Sequence, residues 1–207
     1  MHRGHLAWIL LIIALGAFAG GCASRYGTDQ AAETPGTSPK IQLAVLPFHS
    51  VSEARGSGMI VSDVLTNQLY ALGNSAVMPP EQVVARLADR ESEAISPREA
   101  GALLGAPYIL TGRVTEYTYK AGVGETPVIG VTARLIEASS GAVVWSATRT
   151  ATGGGNWFQE DSLSRLTLVL CKDLAGSLNS FLENHLLPAR AASAAPQYPG
   201  SGMSGQR

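Results

Sequence analysis

The chain has 207 residues, 45% of them hydrophobic and 15% charged, with a formal net charge of −1 at pH 7. Its 15 Lys and Arg residues are matched by 16 Asp and Glu and nowhere form a cluster, which argues against a nucleic-acid partner. Two cysteines and four histidines leave no material for a disulfide framework and little for a histidine-based metal site.

The chain opens MHRGHLAWILLIIALGAFAGGC. Arg3 precedes an apolar run from Leu6 to Ala19, 14 residues long and ending in small residues. A bilayer-spanning helix needs roughly 20 apolar residues, so the run reads as a secretory signal peptide over residues 1–21. Ala19-Gly20-Gly21-Cys22 resembles a bacterial lipobox, with Ala19 where Leu is usual; the alternative is an ordinary signal peptide followed by a chance cysteine. The resemblance implies that Cys22 becomes the first mature residue and carries acyl chains. Ala23 in place of Asp implies sorting to the outer membrane, on its periplasmic face. Residues 22–39 are polar, contain Gly and Pro and lack apolar periodicity, the composition of a flexible tether. Residues 188–207 are similarly rich in Ala, Ser, Gly and Pro and read as a disordered tail. Between them, residues 40–187 are enough for one domain with its own core. Without Arg3, 14 basic residues face 16 acidic ones, a net charge of −2.

The domain begins with IQLAVLPF (residues 41–48), whose apolar residues do not alternate, as in a central strand buried on both faces; Pro47 ends it. A loop, HSVSEARG, leads to a helix over about 58–72. Ser57 is its candidate cap, Ile60, Val61, Val64, Leu65, Leu69 and Leu72 its inward stripe, and Gly73 its stop. A short strand, SAVM, follows. Pro79-Pro80-Glu81 opens a second helix, and Ser96-Pro97-Arg98-Glu99 spells a capping box for a third that ends at Gly105.

From Pro107 the composition turns to β-branched and aromatic residues. PYILTGRVTEYTYK and VIGVTARLIEA, joined by the glycine-containing AGVGETP, predict a hairpin. In the second arm Ile129, Val131, Ala133 and Leu135 alternate with smaller or polar residues. After a turn at Ser139-Ser140-Gly141, AVVWSATRT predicts a third strand with Val143, Trp145 and Ala147 on the core side. The final helix, from Ser162 to about Leu187, repeats Leu163, Leu166, Leu170, Leu174, Leu178 and Phe181 at i+3 or i+4, and Cys171 falls near its apolar face as a packed thiol. The predicted order is β-α-β-α-α-β-β-β-α. It describes an α/β (α+β) domain: a mixed sheet with a C-terminal antiparallel meander and helices packed on it.

Catalytic motifs are missing. There is no H-E-x-x-H, P-loop, G-x-S-x-G or G-x-G-x-x-G sequence, and beyond the leader only His49 and His185 remain. No enzyme activity, cofactor or metal is expected. The unexplained stretch is TATGGGNWFQED, where Gly153-Gly154-Gly155 presents Trp157 and Phe158 ahead of the last helix. Two readings stand side by side. In one, Trp157 with Phe158 dips into the membrane interface, where aromatic rings settle at headgroup depth. In the other, Phe158 packs on the first helical turn as a staple and Trp157 covers the core.

GRVTEYTYKAGVGETPVIGVTARLIEASSGAVVWSATRT, together with IQLAVLPF, VSDVLTNQL and LLGAPYILTG, resembles the CsgG-like superfamily of periplasm-facing lipoproteins. Within it the similarity is to the PelC-type outer-membrane lipoproteins of Pel exopolysaccharide secretion, over roughly residues 40–185. GETPVIGVT and GGGNW are the more specific segments; the triple glycine and Ala19 are departures. The resemblance implies a non-enzymatic subunit that assembles with copies of itself as a ring beneath the outer-membrane lipid. Such a ring guides a cationic exopolysaccharide to a β-barrel/TPR exporter for the biofilm matrix. The segment 113–137 is needed for the domain's own sheet, so no strands are left to build a transmembrane barrel. The alternatives are an LpoB-like lipoprotein activator of a peptidoglycan synthase and a generic envelope-assembly lipoprotein.

Overall fold

The computed structural model describes residues 40–87, 95–121, 125–154 and 162–189. The elements follow the predicted order with one addition. Strand β1 (Ile41–Val45) is followed by a two-residue strand β2 (His49–Ser50), helix α1 (Ser57–Leu72) and strand β3 (Ser75–Met78). Helices α2 (Pro80–Arg86) and α3 (Pro97–Leu104) lead into the meander β4 (Tyr108–Lys120), β5 (Thr126–Glu137) and β6 (Val143–Thr152). Helix α4 (Leu163–Phe181) passes into a π-helical turn (Leu182–Leu186), and helical backbone continues to residue 189.

The strands form one mixed sheet in the order β3-β1-β4-β5-β6, with β2 paired to β4 beyond the end of β1. β1 lies parallel to both β3 and β4, and the meander is antiparallel. Burial of β1 on both sides explains its non-alternating apolar run: Leu43 and Val45 face the α1/α4 side, Ala44 the α2/α3 side. On the α1/α4 face, Leu110, Ile129, Val131, Ala133 and Leu135 meet Leu65, Leu69, Leu170, Leu174 and Leu178 in the main core. The opposite face is covered only at one end, where Ala44, Leu46, Ile109 and Ala138 pack against Val83, Leu87, Ala100 and Leu104. Phe48 enters the main core over Gly112, where a Cβ would overlap its ring.

Several local expectations need correction. β1 ends at Val45, two residues before Pro47, and the Leu46 N–H makes its last ladder bond, to the Leu110 carbonyl. Ser57 does not cap α1: Gly56, in the left-handed region at φ 79°, holds that place with no side-chain cap, while the Ser57 hydroxyl bonds Ser50. Ile60 and Leu72 point outward, 46% and 41% exposed, since the buried stripe of α1 is Val61, Leu65 and Leu69. Val143 is exposed as well. A bulge between Leu135 and Ile136 shifts the register, pairing Trp145 with Leu135 and Val143 with Ile136. Trp145 packs against the core but remains half-buried. The Ser96 cap forms as expected, its hydroxyl accepting the Glu99 N–H at 3.2 Å, and Gly105 closes α3.

Candidate interaction surfaces

The described residues hold no group of three or more His, Cys, Asp or Glu side chains able to share a metal ion. Cys171 is wholly buried, its thiol directed at the Val61 carbonyl at 3.7 Å, and burial pushes its pKa up to about 12. A thiol held protonated in this way is packing material, as reactivity requires the thiolate. His185 stacks on Phe181 with ring centroids 4.8 Å apart, and His49 lies at the exposed end of β2.

The uncovered half of the sheet is one functional candidate. Strand alternation places Thr111, Arg113, Thr132 and Arg134 on this face, and the register sets them side by side: Thr111 opposite Arg134, Arg113 opposite Thr132, Thr132 opposite Thr148. Thr132 and Thr148 share a hydrogen bond at 3.0 Å. His49 of β2 flanks Arg113, and the group lines a shallow cavity of about 350 Å³. Both arginines are exposed, and neither guanidinium has an ion pair or hydrogen bond among the described residues. In contrast, Lys120 pairs with Glu116 at 3.0 Å and Arg149 pairs with Asp173.

Across the sheet, on the β3 side, two carboxylates come together. Asp63 of α1 lies half-buried with Oδ1 shielded from solvent and unbonded among the described residues. Desolvation, reinforced by the nearby Glu81 of α2, raises its pKa above 3.8. Tyr70, whose hydroxyl donates to the Val77 carbonyl, is raised for the same two reasons. The pair stands beside a groove of about 490 Å³ lined by Tyr70, Val77 and Gln82. Exposed apolar side chains border it: Ile60 and Asp63 share one helix face at i, i+3, as do Glu81 and Val84, which is 41% exposed. Sequence reasoning passed over both surfaces. Their only signal was Asp63 set inside the apolar run of α1 and the arginines at alternate positions of β4 and β5.

Of the residues singled out from the sequence, Cys22, Trp157 and Phe158 lie outside the described residues. The attachment points of the Trp157 segment are clear. The Gly153 N–H donates to the Pro127 carbonyl at 2.8 Å, and the Leu163 N–H to the Tyr119 hydroxyl at 3.3 Å. Gly153 and Leu163, on either side of residues 155–161, therefore both lie at the β4–β5 hairpin end of the sheet. Lys40 lies at the opposite end, since β1 runs parallel to β4 with Leu43 beside Tyr108. No helix among the described residues is long and apolar enough to cross a membrane.

No family model and no curated protein sequence matches the chain. Solved structures do. A single-substitution variant of the PelC dodecamer from Paraburkholderia phytofirmans is 30% identical over 72% of this chain and 94% of its own, with a TM-score of 0.54. A second PelC dodecamer from the same organism is also 30% identical, over 69% of this chain and 92% of its own, at a TM-score of 0.51. Lipoprotein GNA1162 from Neisseria meningitidis is 20% identical over 72% and 99% of the two chains, at a TM-score of 0.51, a similarity of fold.

Proposed function

The chain belongs to the PelC family, and on that premise we propose that it is an outer-membrane lipoprotein, a periplasm-facing ring subunit in exopolysaccharide export. The observation that carries this reading is the 30% identity across 94% of a PelC chain that forms a dodecamer. Cys22 is the proposed lipid attachment site, and Trp157 with Phe158 the proposed second contact with the membrane. The subunit is not an enzyme in this reading; it acts by shape and charge. A ring with an acidic lumen concentrates a cationic polymer over a Debye length of about 10 Å and presents it to a β-barrel exporter.

The sheet edges support self-association. β6 is an edge strand of 10 residues with one charged side chain and no proline. Edge strands that avoid pairing usually carry proline, several charges or a covering element. The test is sedimentation of the full chain in detergent, with negative-stain imaging across a concentration range. Closed rings are the expected result. A monomer at every concentration, in detergent and on lipid bilayers alike, would remove the basis of the proposal.

A further inference from the structure

A closed ring of identical subunits needs two different surfaces, one donated to each neighbour, because a head-to-tail contact does not repeat the same patch. Two surfaces of this subunit meet that requirement, and their chemistry is complementary. We propose that the open sheet face around Arg113 and Arg134 docks onto the Asp63–Glu81 patch of a second copy of this chain. The inference rests on the ring reading above and deepens it by naming the contact that closes the ring.

Position is the first argument. The carboxylates lie beside β3, the strand at one lateral edge, whereas the arginines rise from β4 and β5 on the sheet face turned away from α1 and α4. Charge is the second. The Arg113 and Arg134 side chains have no partner among the described residues of their own subunit, and neither does the exposed Glu81 carboxylate. A guanidinium from a neighbour can meet the Glu81 carboxylate in a planar, paired geometry. Surface composition is the third: exposed Ile60 and Val84 border the carboxylates, so docking removes apolar area as well as pairing charges. Placing both arginines between subunits also keeps them out of a lumen meant for a cationic polymer.

The experiment compares the full chain in detergent with Arg134→Glu, Glu81→Arg and the double variant, by sedimentation and negative stain. Circular dichroism melts establish that each variant is folded. Each single reversal is expected to weaken assembly by at least about tenfold, in line with coupling across close interfacial charge pairs, and the double variant is expected to recover rings. A second measurement does not depend on charge reversal: Thr132→Cys combined with Gln82→Cys should give an oxidation-dependent ladder of covalent oligomers, absent from either single-cysteine variant. Single reversals that assemble like the parent, or rings that yield no ladder, overturn this contact while leaving the ring itself intact. A parent chain that never forms rings overturns both.

Discussion

The ring of Phe48 occupies the space that a side chain on Gly112 would need. The relationship joins the segment after β1 to the middle of β4 and seals the main core beside the uncovered sheet face. Adding one methyl group there must displace an aromatic ring that is itself 4% exposed. Gly112→Ala is expected to cost about 1–3 kcal/mol, the range for overpacking a filled interior, and Phe48→Ala about 3–5 kcal/mol. Urea unfolding followed by circular dichroism checks both, and a Gly112→Ala variant as stable as the parent would show that the ring has room to move.

Cys171 predicts its own silence. With its thiol pushed up to about 12 by burial, it should resist alkylation at pH 8 in the folded chain and react fully once denatured. The linkage has a definite sign. The folded state keeps its proton above the ordinary value of 9.0 while the unfolded state loses it, so this group lowers stability as pH rises from 9.0 toward about 12. Replacing Cys171 with Ala should flatten that part of the stability curve, whatever it costs in packing.

Asp63 behaves in the opposite part of the pH scale. Its raised pKa means that the folded subunit holds the carboxylate at a cost in neutral solution, and the cost disappears once the group is protonated in both states, below 3.8. Asp63→Asn should therefore stabilise the isolated subunit at pH 7, with the advantage shrinking as pH falls through the raised pKa toward 3.8. The same substitution should weaken the proposed ring. Thermal melts of the monomer and sedimentation of the assembly separate the two effects. A variant that loses both stability and assembly would indicate a merely structural carboxylate.

The Arg149–Asp173 pair makes a modest prediction. Its side chains are 39% and 61% exposed, so solvent and salt screen it, and truncating either to Ala should change stability by less than about 1 kcal/mol. Melts at low and high ionic strength check this. A larger loss would mean that the contact holds α4 against β6 more firmly than an exposed ion pair can.

The helices and meander were readable because their signals are local. Leu166, Leu170, Leu174 and Leu178 repeat at helical spacing and Ile129, Val131, Ala133 and Leu135 at strand spacing, and all are buried where those periods place them. β2 is not legible in the sequence because two residues carry no periodicity; it exists only through its partners in β4. Ile60 and Leu72 are apolar yet exposed, because the core stripe of α1 is narrower than its apolar pattern. Val143 was misplaced by a bulge in its pairing with β5, which no single-strand pattern reveals. The arginine face needs still more distant information. Arg113 and Arg134 are 21 positions apart in the sequence, and only the hairpin register and the two-helix cover at one end of the sheet turn them into a surface.

The direction of β1 sets a mechanical condition on membrane attachment. β4 has 13 residues, so the ends from which Lys40 and the 155–161 segment emerge are separated by about 40 Å at about 3.3 Å per strand residue. A lipid on Cys22 and an aromatic ring of Trp157 in the same leaflet require the tether to turn back along most of the height of the domain. Fully extended, the 18 steps from Cys22 to Lys40 reach about 60 Å; as a relaxed coil they span only about 24 Å. If both proposed contacts form, the distance exceeds the relaxed span of such a segment, and its recoil would draw the hairpin end toward the bilayer. Deleting more than about six residues from 23–39 takes away the spare length at about 3.4 Å each, so that the two proposed contacts could no longer form together.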